Sequence, residues 1–117
     1  MCHVLVIEDD WLIADHICGL VEDAGALSVA FAATEDDAVA SAIAAPPAVI
    51  VSDVNLRGDG NGPSAVMRIF EAIGARPVMF VTGEPRPFEP PQPQMKVLYK
   101  PVDDRKLVET FRIIAPV

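Results

Sequence analysis

The chain has 117 residues, 51% of them hydrophobic, which is one domain's length with ample material for a core. Nine Lys and Arg stand against seventeen Asp and Glu, a net charge of −8. That balance argues against non-specific binding to nucleic acid, whose phosphates demand clustered cations, and against docking on an anionic membrane, but leaves protein partners and divalent cations open.

Val4-Leu5-Val6-Ile7 is short, uninterrupted and β-branched, as expected of a strand covered on both faces, and it stops at Glu8-Asp9-Asp10. Ile13, Ile17, Leu20, Val21 and Ala24 then recur along one helical face, with Gly25 as the stop. Leu27 to Ala32 reads as a second, weaker strand. Thr34 reads as the N-cap of an Ala-rich helix, with Asp37 in the place of the usual Glu or Gln, and the helix ends before Pro46-Pro47. Ala48 to Ser52 is a third strand, followed at once by Asp53. A loop, Gly58-Asp59-Gly60-Asn61-Gly62, leads to Pro63 at the first helical position and to a stripe of Val66, Ile69, Phe70 and Ile73 closed by Gly74. Val78 to Val81 is a fourth strand ending at Thr82-Gly83. Residues 84–94 contain Pro85, Pro87, Pro90, Pro91 and Pro93, which no regular helix survives, so an extended or mobile loop is expected. Val97-Leu98-Tyr99 is the fifth strand, ending at Lys100-Pro101. Asp103 caps a last helix with Leu107, Val108, Phe111 and Ile114 facing inward.

This βαβαβαβ–loop–βα order predicts a parallel sheet with helices on both faces, joined by right-handed crossovers. One domain is expected over residues 1–117, with no output domain. In an open parallel sheet all carboxyl ends of strands lie on one edge, where ligands bind. That edge therefore collects Glu8-Asp9-Asp10, Asp53, Thr82 and Lys100 from four strand ends. Two like charges about 4 Å apart repel by roughly 4 kcal/mol at an effective dielectric of about 20, so clustered carboxylates call for a cation. An all-oxygen ligand set favours a hard ion, Mg²⁺ or Mn²⁺. A carboxylate beside such an ion, faced by an ammonium and a hydroxyl, is suited to accept a phosphoryl group.

Val-Ile-Glu-Asp-Asp (6–10), Ser-Asp-Val-Asn-Leu (52–56), Val-Thr-Gly (81–83) and Tyr-Lys-Pro (99–101) occur in order at these strand ends. Together they resemble the receiver domain of two-component response regulators, of the CheY-like, single-domain kind, over essentially the whole chain. The resemblance implies a flavodoxin-like, doubly wound sheet of five parallel strands in the order 2-1-3-4-5. It makes Asp53 the phosphoacceptor, Thr82 a donor to the phosphoryl oxygen and Lys100 its ion-pair partner. Asp9, Asp53 and the backbone carbonyl of Asn55 would ligate Mg²⁺, with Glu8 acting through water. It also implies a cis bond before Pro101, and a phosphohistidine on a sensor histidine kinase or phosphotransfer protein as donor. Beyond self-catalysed phosphotransfer and autodephosphorylation no enzymatic activity is implied. The output is then binding to a further protein or relay of the phosphoryl group in a bacterial phosphorelay.

Three features depart from the family's pattern. Val97 stands where an inward-swinging aromatic is common, with Tyr99 two residues on and on the same strand face. The proline segment shortens or replaces the fourth helix. Arg57 takes a position where proline is frequent. Phe80-Val81-Thr82-Gly83 resembles the Phe-Ala-Thr-Gly stretch of a receiver subgroup known in alphaproteobacteria, which also dispenses with the switch aromatic. Two readings compete with a working receiver. One is a receiver-fold interaction module that does not use phosphorylation, against which the intact Asp53, Thr82 and Lys100 argue. The other is a flavodoxin-like cofactor binder, against which the acidic residues after strand one argue, since they repel phosphate.

The remaining polar residues read as structural. Trp11-Leu12-Ile13 opening the first helix favours Glu8-Asp9 over Asp9-Asp10 as the acidic pair, and favours Asp10 as a cap. Asp53-Val54-Asn55 fails as a calcium-loop start, because Arg57 and Ser64 occupy ligand positions. His3 and His16 lack zinc spacing. Trp11 lies just beyond the acidic pocket, where packing at the rim and contact with a partner kinase are both open and simple packing is at least as well supported. The proline segment reads as a connector ahead of a polyproline ligand. Cys2 and Cys18 are too few for a disulfide framework and fit a reducing compartment. With no signal peptide and no apolar run near the roughly 20 residues of a membrane span, a cytoplasmic protein is expected.

Overall fold

A computed structural model describes residues 2–56, 60–83 and 87–116. Five strands, β1 (His3–Ile7), β2 (Ser28–Ala32), β3 (Val49–Asp53), β4 (Val78–Thr82) and β5 (Lys96–Tyr99), form one sheet in the order β2-β1-β3-β4-β5. All neighbours run parallel. The helices are α1 (Trp11–Asp23), α2 (Glu35–Ala44), α3 (Gly62–Ile73) and α4 (Asp104–Ile114). This is the doubly wound, flavodoxin-like architecture the sequence predicts, with strand limits shifted by a residue at most. The reversal of winding falls between β1 and β3, which opens a crevice at their carboxyl ends.

Strand alternation divides the core in two. Val4, Val6, Val49, Val51, Met79, Val81 and Leu98 point to one face, against Ile17 and Val21 of α1 and Leu107 and Phe111 of α4. Leu5, Ile7, Ile50 and Phe80 point to the other, against Ala38 and Ala42 of α2 and Val66 and Ile69 of α3. β3 and β4 are buried along their whole length, which explains their unbroken apolar runs. β2 is an edge strand and alternates less cleanly.

The helix caps follow the sequence. Asp10 accepts from the amides of Leu12 and Ile13, Thr34 from that of Asp37, and Asp103 from that of Arg105. Asn61 caps α3, so the helix starts at Gly62 and Pro63 sits one residue further in than the sequence suggests, where its missing N–H still costs nothing. Val108 and Ile114 are only partly buried, because the inward stripe of α4 centres on Leu107 and Phe111.

Between β4 and β5, Gly83 and residues 87–95 contain no helix among the described residues. Pro85 lies outside the described residues, as do Arg57, Gly58 and Asp59. Phe88 takes over part of what a helix would cover: its ring packs edge-on against Phe80 at 5.3 Å between centroids. Its amide donates to the Tyr99 hydroxyl at 3.0 Å. Backbone and ring of one residue thus both tie the segment to the sheet. No described helix is long and apolar enough to cross a membrane.

Candidate functional site

The carboxyl ends of β1, β3, β4 and β5 deliver Glu8, Asp9, Asp53, Thr82 and Lys100 to one edge of the sheet. Glu8 follows the last residue of β1 and is 1% exposed; Asp53 ends β3 and is 9% exposed. Thr82 closes β4 and is fully buried. Its carbonyl accepts the amide of Lys100 at 2.7 Å, which fixes the point from which the lysine side chain departs. The Lys100–Pro101 bond is cis, as expected.

Lys100 Nζ lies 3.1 Å from Glu8 Oε1 and 3.2 Å from Asp53 Oδ2. One ammonium therefore serves two carboxylates, and the balance remains negative. Burial raises the Glu8 pKa to about 7; the hydrogen bond and charge of Asp53 push the same way, and Lys100 only partly offsets them. Burial alone would lower the Lys100 pKa, but the charges of Asp53 and Glu8, with hydrogen bonds to both, outweigh it and hold the ammonium above its ordinary value.

Among the described residues, Glu8, Asp9 and Asp53 each offer a carboxylate oxygen, and the three atoms lie within 4.8 Å of one another. This donor set fits a hard divalent cation: it is all oxygen, convergent, and short of positive charge. Asp10 stands apart from it, with its carboxylate engaged at the start of α1. Asn55 lies two residues past Asp53 in an exposed loop and pairs in an isolated antiparallel bridge with Asn61.

The other residues weighed from the sequence sit elsewhere. His3 shares a hydrogen bond with Ser28 Oγ at 2.7 Å, and exposed His16 pairs with Asp104 at 2.9 Å. Trp11 is 67% exposed beside the acidic crevice, so its ring is not packed into the rim. Cys18 is a half-buried helix thiol.

Sequence reading misses Glu35. In the sequence it is only part of an acidic helix start, yet its carboxylate accepts from the Asn61 amide at 3.0 Å, the Ser64 hydroxyl at 2.8 Å and Arg68 Nη1 at 2.9 Å. No motif marks it, because its partners come from α3 and the turn before it. Ser52 is a second omission: its buried hydroxyl donates to the Asp53 carbonyl at 2.8 Å. A hydroxyl at the end of an otherwise apolar strand is the signal that could have found it.

Comparison with known proteins agrees with this geometry. The family model described as the response regulator receiver domain matches residues 4–112. The chemotaxis protein CheY4 of Vibrio cholerae superposes with a TM-score of 0.82 at 26% identity, over 97% of this chain and 98% of that one. The receiver domain of the hybrid histidine kinase CckA gives 0.79 at 25% identity, over 95% and 96%. A variant of the anti-anti-sigma factor PhyR from Bartonella quintana gives 0.78 at 30% identity, over 93% of this chain but 47% of that one. A search of curated proteins found no match. The chain belongs to the response regulator receiver domain family.

Proposed function

We propose that the chain works as a phosphoryl-accepting response regulator, with Asp53 taking the group from a phosphohistidine on a sensor histidine kinase or histidine phosphotransfer protein. The observation that carries this reading is the single ammonium of Lys100 between the carboxylates of Glu8 and Asp53, at the switch point of the sheet. In the transfer, an Asp53 carboxylate oxygen attacks phosphorus. The phosphorus–nitrogen bond breaks, its electron pair goes to the donor imidazole, and an acyl phosphate forms on Asp53. Lys100 pairs with the arriving oxygens, and the Thr82 hydroxyl donates to one of them. Hydrolysis of the acyl phosphate by water restores Asp53 and releases inorganic phosphate, so the chain catalyses only its own modification.

Asp9, Asp53 and the Asn55 carbonyl are the residues that would hold Mg²⁺, with Glu8 acting through water. When bound, the ion supplies positive charge to the equatorial phosphoryl oxygens. The phosphorylated form signals by binding another protein or by passing the group on. Bonds from Thr82 and Lys100 to the phosphoryl oxygens favour one arrangement of the neighbouring loops, which is a population shift.

The test is intact-mass spectrometry after incubation with acetyl phosphate, with and without Mg²⁺, on the wild type and Asp53→Ala. A single phosphoryl adduct that needs both Mg²⁺ and Asp53 is expected. No adduct on the wild type, together with no Mg²⁺-dependent change on adding beryllofluoride, would leave a phosphorylation-independent interaction module as the better description.

A further inference from the structure

Asp53 ends β3, and the chain beyond it must turn back and enter α3. Its return is unusually constrained. The Gly62 amide donates to the Val54 carbonyl at 2.9 Å, and Asn61 bridges Asn55. Gly62 packs so tightly on the Asp53 peptide that a Cβ there would overlap the Asp53 carbonyl oxygen and crowd Ser52 Oγ. Where residues 60–62 stand therefore decides where Asp53 and Asn55 stand.

What holds residues 60–62 is a side chain from a different element. Glu35, in the first turn of α2, accepts three hydrogen bonds: from the Asn61 amide, the Ser64 hydroxyl and Arg68. Arg68 also reaches Asp36 at 2.8 Å, which keeps the guanidinium over the α2 terminus. Gly60 has φ +98, and a Cβ on it would lie 2.6 Å from Glu35 Oε1, so the glycine admits the carboxylate as well as the turn. The Glu35 side chain is 12% exposed and has little room to choose another position.

We propose that Glu35 is a positioning residue for the acidic site. It clasps the returning end of the β3–α3 connection and thereby sets the placement of the Asp53 carboxylate and the Asn55 carbonyl. The consequence for phosphoryl transfer rests on the function proposed above; the consequence for cation binding and for the loop itself does not.

The experiment compares wild type, Glu35→Ala, Glu35→Gln and Ile69→Val. The last is a buried core change that lowers stability without touching the connection. Three readouts are taken on each: Mg²⁺ affinity by calorimetric titration, the acetyl phosphate adduct rate by intact mass, and amide hydrogen exchange at Asn55, Asn61 and Gly62. Glu35→Ala is expected to weaken Mg²⁺ binding and slow the adduct by about tenfold or more, in line with other residues that orient ligands from outside the coordination shell. Exchange at the three amides rises with it. Glu35→Gln keeps an acceptor for Asn61 and recovers part of the affinity, while Ile69→Val stays within about twofold of wild type.

Unchanged Mg²⁺ affinity in Glu35→Ala overturns the proposal, as does an equal loss in Ile69→Val. A wild type that binds Mg²⁺ but takes no phosphoryl group overturns the phosphotransfer reading alone, and the affinities still decide the clasp. A wild type that binds neither leaves the decision to hydrogen exchange, where unaltered protection in Glu35→Ala overturns the clasp.

Discussion

The ammonium of Lys100 stands 3.2 Å from an Asp53 carboxylate oxygen although 47 residues separate the two in the chain. Asp53 closes β3 and Lys100 follows the last residue of β5, and the parallel pairing of β3 with β4 and β4 with β5 places both on one edge. Lys100 also meets Glu8, so its removal uncovers two buried carboxylates at once. Lys100→Ala is expected to lower stability by about 1–3 kcal/mol, the scale of hydrogen bonds to charged groups. The loss should be larger at pH 8 than at pH 5, because Glu8 can take up a proton in acid. Urea unfolding at the two pH values checks this; an equal loss at both would show that Glu8 and Lys100 are not coupled.

Glu8 also sets a pH dependence for the protein without divalent cations. Its native pKa lies near 7 and its ordinary value is 4.5. Between these values the folded state holds a proton that the unfolded state has released. Stability from this group is therefore fully present below about pH 4.5 and is lost as pH rises through about 7, by up to roughly 3 kcal/mol. Glu8→Gln should remove that part of the slope, and millimolar Mg²⁺ should flatten it by favouring the carboxylate. Chemical denaturation of wild type and Glu8→Gln across this range, with and without Mg²⁺, makes the comparison; parallel profiles would contradict it.

Tyr99 ties the proline-rich segment to β5 through one hydrogen bond, from the Phe88 amide to its hydroxyl. Tyr99→Phe deletes that bond and leaves the ring in place. A cost of about 1 kcal/mol is expected, felt locally as faster exchange of the Phe88 amide. Phe88→Ala removes the edge-on packing with Phe80 and should cost about 2 kcal/mol. If Phe88→Ala left the melting temperature unchanged, the segment would not be contributing to the core.

Two glycines separate a tight site from an open one. Gly62→Ala puts a methyl group into the Asp53 peptide and is expected to cost more than about 3 kcal/mol or to prevent folding. Gly19, within α1, has nothing within 4 Å of the added carbon. Gly19→Ala should stabilise the chain by about 0.5–1 kcal/mol through helix propensity alone. Thermal unfolding of both variants measures the contrast.

Much of this is legible in the amino-acid order. Apolar runs at strand spacing, the 3.6-residue stripes and the capping residues Asp10, Thr34 and Asp103 set the elements, because each depends on neighbours within a turn or two. The strand-end residues Glu8, Asp9, Asp53, Thr82 and Lys100 can be gathered on paper, because a parallel sheet sends every carboxyl end to one edge. What only the tertiary structure decided was which side chains meet across that edge and behind it. Glu35 reaches Asn61 across 26 residues, and Phe88 reaches Phe80 from a segment that has no helix among its described residues. Neither contact leaves a periodic or local trace, since each depends on the separation of two packed elements rather than on spacing within one. The sharing of one ammonium by two carboxylates is of the same kind: residue types announced the charges, and only packing set their distances.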